Sequence, residues 1–167
     1  MPDRAPCLFR GRGPVVPWSR RRRALTLVAW LLGAVLLGAC APATPDSQAW
    51  RASAVQTLED TSSQLATMRL TVEQERRDRL PGRYAVTVAV DSEEQAAMAA
   101  ESLTGQQPPG TERRAYDRVS GLLDDAQSLI SEARIALVDG RTQEYPSLLR
   151  RLDRMGARAD RETERLR

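Results

Sequence analysis

Apolar residues recur every three or four positions over three long stretches of this chain, and this spacing is the strongest constraint on its fold. The spacing places them on one face of an α-helix, so three helices must bury these faces against one another. In residues 47–80 the face comprises Trp50, Ala54, Leu58, Thr61, Leu65, Met68 and Val72. In residues 112–138 it comprises Tyr116, Val119, Leu122, Leu123, Ala126, Ile130, Ala133 and Leu137. From about Pro146 onward it comprises Leu148, Leu149, Leu152, Met155, Ala159 and Leu166.

Residues that favour helix ends border these stretches. Asp46 or Ser47 can cap the first helix, and the "LPG" at residues 80–82 predicts its end. Asp139 and Gly140 predict the end of the second stretch, because glycine readily adopts the left-handed conformation that closes a helix.

The segment between the first two stretches, residues 83–103, has features of both strand and helix. Its first half carries valines at alternating positions, Val86, Val88 and Val90. A lone strand would have no pairing partner, and the following "EEQAAMAAESL" favours helix, although Asp91 and Glu94 have the spacing of a capping box that would start a new one. We predict one helix here, and hence an all-α fold, an up-and-down antiparallel helical bundle of three to four helices.

An apolar segment near the start of the chain ends at a cysteine. Four arginines, residues 20–23, precede 16 residues without a charge, Ala24 to Ala39. This is shorter than the roughly 18 to 20 residues that a membrane-spanning helix needs, and it is typical of a secretory signal peptide.

The last residues of this segment, Leu37, Gly38 and Ala39 before Cys40, resemble the bacterial lipobox. The resemblance implies that the Cys40 thiol receives a diacylglyceryl group and that cleavage before it makes it the first residue of the mature chain. Cys7, the only other cysteine, precedes the cleavage point, so the mature chain has no disulfide partner for Cys40. The alternative is an uncleaved anchor that ends at a cysteine by chance.

This interpretation divides the chain into three parts. Residues 1–39 are a signal peptide with an N-terminal extension, residues 40–46 are the lipidated cysteine and a tether, and residues 47–167 are the helical bundle. The diacylglyceryl group on Cys40 would supply two acyl chains, which are enough to hold a protein stably on a membrane. The predicted location is therefore the cell membrane.

Two runs of the mature chain resemble an uncharacterised family of small actinobacterial lipoproteins. They are "LTVEQERRDRLPGRYAVTVAVDSEEQAAMAAESLTGQQPPG" and "LISEARIALVDGRTQEYPSLLRRLDR". The resemblance implies helical character and an anchored domain on the outer, extracytoplasmic face of the membrane. It supplies no catalytic residue.

Charge must be counted separately on the two sides of the cleavage point. Residues 1–39 carry seven Arg and one Asp, whereas the mature chain carries 18 Arg against 21 acidic residues, a net charge of −3. The basic character of the whole chain therefore belongs to the signal peptide. Nucleic acid is not predicted as a partner.

The residue types present restrict the catalytic chemistry. The chain contains no His, and lipidation would occupy the thiol of the mature cysteine, so a nucleophile would have to be Ser with Asp, Glu or Tyr. The acidic pairs 93–94 and 124–125 could bind Ca²⁺ or Mg²⁺, but neighbours on a helix point about 100° apart and such pairs are more typical of a solvated face. No metal and no cofactor is predicted.

The third stretch carries a row of arginines that we call the arginine stripe: Arg150, Arg154, Arg158, Arg161 and Arg165. At 100° per residue the stripe occupies an arc of about 80°, and we expect it to lie opposite the apolar face. One interpretation is a solvated face neutralised by nearby acids on the same helix: Asp153, Glu162 and Glu164. The other is a contact surface for anionic lipid head groups or an anionic wall polymer.

These features predict a lipid-anchored extracytoplasmic protein that acts as a binding or structural module of the cell envelope, with no catalytic activity. The alternatives are an enzyme with a carboxylate-lined pocket and an accessory subunit of a membrane complex. The sequence identifies no protein partner.

Overall fold

The computed structural model describes residues 46–167, which form four α-helices: α1 Ser47–Arg76, α2 Gly82–Thr104, α3 Arg113–Val138 and α4 Tyr145–Leu166. Short 3₁₀ turns, Gly110–Glu112 and Thr142–Glu144, precede α3 and α4. α1 packs against α2 and α4, and α3 packs against the same two helices. The predicted all-α, up-and-down antiparallel bundle is confirmed, with four helices.

Most helix ends agree with the local signals in the sequence. The Asp46 side chain caps α1 by accepting a hydrogen bond from the backbone N–H of Gln48 at 3.0 Å. Gly140, with φ of 64°, follows the end of α3, and Pro146 lies in the first turn of α4.

The end of α1 differs from the prediction. The helix ends at Arg76, four residues before Leu80. Asp78 adopts a left-handed backbone with φ of 56°, which an aspartate tolerates better than most residues, and the N–H of Arg79 then donates to the carbonyl of Gln74 at 2.9 Å. This closing turn ends the helix before the proline is reached.

α2 is one uninterrupted helix, as predicted for residues 83–103, and it buries mainly small side chains. The buried face consists of Ala85, Ala89, Ser92, Ala96, Ala100 and Leu103. Val90, which belongs to the alternating valines, is 44% exposed. Because small side chains allow helix backbones to approach closely, we infer that α2 packs through its alanines and leaves larger side chains at the surface.

The core consists of two clusters, one towards each end of the bundle. The cluster near the start of α1 includes Trp50, Leu58, Val119, Leu123 and Leu166. The cluster at the other end includes Leu65, Met68, Ile130, Tyr145 and Leu152. Met155 is partly buried and packs against both. The predicted apolar faces therefore form a continuous core.

The start of α1, the turn before α3 and the end of α4 meet at one end of the bundle. Ser47 Oγ lies 3.2 Å from Thr111 Oγ1, and Arg51 Nη2 donates to the buried Glu112 Oε1 at 2.9 Å. Leu166 belongs to the same core cluster as Trp50. The C-terminal part of the arginine stripe thus lies near the point where the described chain begins.

Tyr145 supplies a prediction about alkaline stability. Its burial, together with the negative charge of Glu75, raises the pKa of the Tyr145 phenol. Folding favours the neutral phenol. This preference adds fully to the free energy of unfolding below about pH 10, and it is lost as the pH rises through the pKa that Tyr145 has in the folded state. We expect the urea midpoint of the wild type to fall above about pH 10.

The matched control is Tyr84, which is exposed. Tyr145→Phe should flatten this alkaline decline, whereas Tyr84→Phe should leave it unchanged. Identical pH profiles for the wild type and Tyr145→Phe would contradict the prediction.

Candidate anion-binding groove

Four of the five stripe arginines, all except Arg150, lie along the edge of α4 that borders α3. Arg158 Nη1 lies 3.1 Å from Asp125 Oδ2 of α3, and the neighbouring Arg151 pairs with Glu132 of the same helix. All five stripe arginines are exposed, and the buried apolar residues of α4, among them Leu148, Leu152, Ala159 and Leu166, lie on the other side of the helix, as expected. One edge of the stripe borders α3, because that helix packs alongside α4.

Two depressions, each of about 500 Å³, lie between α3 and α4 and share Asp125, Arg158 and Arg161. We call the combined surface the α3–α4 groove. Its arginines are Arg118, Arg151, Arg154, Arg158, Arg161 and Arg165. Its acidic residues are Asp117, Asp125 and Glu162. Cations therefore outnumber acids two to one along its walls.

Only part of the arginine stripe is neutralised. Arg158 pairs with Asp125, and Arg165 Nη1 lies 2.8 Å from Glu162 Oε2. The other three have no acidic partner within 4 Å among residues 46–167: Arg150, Arg154 and Arg161. Arg154 and Arg161 line the groove, whereas Arg150 is exposed outside it.

Two of the acids expected to neutralise the stripe serve other arginines. Asp153 pairs with Arg69 of α1, and Glu164 pairs with Arg167 beyond the end of α4. Of the three expected acids, only Glu162 contacts a stripe arginine. The stripe therefore keeps positive charge that neighbouring acids on its own helix were expected to cancel.

Glu162 is buried at the end of the groove and is shared between two helices. Its Oε1 accepts a hydrogen bond from Arg118 Nε at 2.9 Å, and its Oε2 accepts one from Arg165 Nη1 at 2.8 Å. A buried carboxylate needs such charged donors to offset its lost hydration. This contact fixes one end of α3 against α4 and sets the shape of the groove.

The sequence interpretation did not include Arg118, Arg151 or Asp125 in the candidate site. Arg151 precedes the buried Leu152 and lies beside the arc of the α4 surface that the arginine stripe occupies. Its guanidinium group donates a hydrogen bond to the Glu132 carboxylate. This hydrogen bond lowers the pKa of the Glu132 carboxyl. Arg118 could have been suspected only after α3 had been placed next to α4.

A third depression, of about 690 Å³ between α2 and α3, is the nearest equivalent of the carboxylate-lined pocket considered above. Its two acids are Glu93 and Glu132. Glu93 pairs with Arg134, and Glu132 pairs with Arg151. Both carboxylates are thus engaged as ion-pair partners.

The acidic pairs considered for metal binding are separated by their contacts. Glu93 faces Arg134 while Glu94 is exposed, and Asp125 faces Arg158 while Asp124 is exposed. Residues 46–167 contain no group of three or more side chains suited to hold a metal ion.

The residues of the predicted lipidation signal, Leu37, Gly38, Ala39 and Cys40, lie outside the described residues, as do the predicted signal peptide and most of the predicted tether. Within residues 46–167, no helix combines the length and the apolar character that crossing a bilayer requires.

Comparison with known proteins found no matching family model, no matching curated protein and no matching solved structure. The resemblance to small actinobacterial lipoproteins therefore stays a prediction.

Proposed function

We propose that this protein is a lipoprotein anchored to the outer face of the cell membrane, and that its helical domain binds an anionic component of the cell envelope. The observation that carries the binding part is the α3–α4 groove, in which Arg154 and Arg161 have no acidic partner among the described residues. The anchoring part is carried by the "LGAC" at residues 37–40.

The anchor and the groove suit the same surroundings. The six residues of the tether after Cys40 reach at most about 20 Å, which would keep the bundle close to the membrane. Guanidinium groups bind carboxylates and phosphates through paired hydrogen bonds, and these two kinds of anion are common on cell surfaces. The chain would then present a basic groove where anionic envelope components are concentrated.

The groove combines charge with apolar surface. Leu129 and Met155 line it between the arginines. Apolar surface beside a guanidinium partly excludes water, which strengthens its attraction for an anion. A binding module of this kind needs neither a nucleophile nor a cofactor.

The anchor is tested by metabolic labelling with a clickable fatty acid. Wild-type protein should incorporate the label and stay in the membrane fraction, whereas Cys40→Ala should incorporate none, because the predicted acceptor thiol is gone. The matched control is Cys7→Ala, which removes the other cysteine and should leave labelling intact. A wild-type protein without label, or a label that depends on Cys7, would show that the anchor is wrong.

A further inference from the structure

We propose that the α3–α4 groove binds a linear polyanion, a chain with regularly repeated phosphate or carboxylate groups, along the length of α4. This inference rests on the proposed anion-binding role of the groove and specifies its ligand. It selects a polymer strand over the head groups of a bilayer.

The length of the groove is the first argument. The groove extends along α4 from Arg151 to Arg165, which at 1.5 Å per residue corresponds to about 21 Å. A single phosphate or carboxylate can contact only a fraction of this length. A ligand that uses the whole groove must carry several anionic groups in a row.

The order of the cations is the second argument. Arg154 and Arg161 have no acidic partner among residues 46–167 and lie seven residues apart, about 10 Å along the helix. Arg158 lies between them in an ion pair with Asp125 in which both side chains are about half exposed. Exposed ion pairs are weak, so Arg158 can exchange Asp125 for a ligand anion. Three guanidinium groups then follow one another at intervals of about one helical turn.

The shape and the acidic residues of the groove argue against a bilayer surface. The groove is concave, whereas a membrane presents a flat array of head groups. Asp117 lines the α3 side of the groove; its side chain is 64% exposed and only loosely paired with Arg113, at 3.8 Å, so a flat anionic surface would meet this carboxylate as well as the arginines. A narrow strand can follow the α4 side and avoid this repulsion.

The residue types in the groove argue against a nucleic acid. Among residues 46–167, no aromatic side chain lines either depression, and the apolar surface comes from aliphatic and sulfur-containing side chains such as Leu122, Leu129 and Met155. Proteins that bind single-stranded nucleic acids gain much of their affinity by stacking bases on aromatic rings. The groove therefore suits a polymer that is recognised through its charges and not through the stacking of bases.

The test measures binding of the full-length protein in non-ionic detergent by titration calorimetry. The polymer probes are linear polyphosphate and polyglutamate, and triphosphate is the short comparison. An oligonucleotide and micelles that contain phosphatidylglycerol represent the competing classes of ligand. The groove variant is Arg154→Gln with Arg161→Gln, and the matched control is Arg79→Gln with Arg83→Gln. All four arginines are exposed and have no acidic partner within 4 Å among residues 46–167, so both variants lose the same charge without breaking an ion pair there.

At least one polymer should bind the wild type, and more tightly than triphosphate. The groove variant should weaken this binding about tenfold and reduce the dependence of log affinity on log salt by about one to two, because fewer counterions are released. The control variant should keep the wild-type affinity within about twofold. Whichever polymer binds more tightly identifies the preferred anionic group.

Five results would overturn the inference. Equal losses in the two variants would mean that only net charge matters, and triphosphate as tight as the polymers would mean a site for a single anion. An oligonucleotide that binds more tightly than both polymers would identify a different ligand class. Binding that occurs only with micelles containing phosphatidylglycerol, and that is lost in the groove variant, would support the anion-binding role but exclude a polymer as the ligand. No binding to any of these anions would exclude both the polymer and the anion-binding role.

Discussion

Leu123→Asp is expected to destabilise the helical domain by about 5 kcal/mol or more, enough to unfold a domain of ordinary stability. Leu123 is 1% exposed and belongs to the core cluster that also contains Leu58 and Val119. The substitution removes a packed leucine, and the new carboxyl must either lose its hydration or take up a proton at neutral pH. Both effects act in the same direction.

The matched control is Leu70→Asp, the same change at a leucine that is 55% exposed. This variant should change the free energy of unfolding by no more than about 1 kcal/mol, mainly through the lower helix propensity of aspartate. Urea unfolding of residues 46–167, followed by circular dichroism, gives both values. Similar losses in the two variants would contradict the placement of Leu123 in the core.

The small-residue face of α2 gives the second large effect. Ala89 and Ala96 are almost fully buried, at 0% and 1% exposure, and replacing both with leucine adds three heavy atoms at each position of a filled interface. Overpacking typically costs about 1 to 3 kcal/mol per site, so we expect a loss of about 2 to 6 kcal/mol for the double variant. The helices would have to move apart to accept the larger side chains.

The control for this prediction shifts the same spacing by one residue. Val90 and Ala97 also lie seven positions apart on α2 but are exposed, so Val90→Leu with Ala97→Leu should stay within about 1 kcal/mol of the wild type. If the buried double variant is as stable as this control, α2 does not pack through its alanine face. A shared loss would instead indicate that leucine is poorly tolerated anywhere on the helix.

The sequence alone determined the class of fold and most helix ends. Helical spacing and capping depend on contacts between residues one to four positions apart, so they can be predicted without knowing which helices are neighbours. For this reason the three apolar faces, the Asp46 cap and the turn at Gly140 all agree with the structure. The early end of α1 was missed because the left-handed backbone of Asp78 leaves no clear signal in the sequence, whereas the nearby proline does.

Only the tertiary structure decided the charge of the candidate site. The sequence identified all five stripe arginines, but their partners depend on the rotation and order of the helices. Asp125 of α3 pairs with Arg158, whereas Asp153 pairs with Arg69 of α1 and with no arginine of the stripe. These pairs join residues 33 and 84 positions apart, which no local spacing rule can predict. Helix packing thus leaves Arg154 and Arg161 without acidic partners among the described residues, and the groove owes its positive charge to that packing.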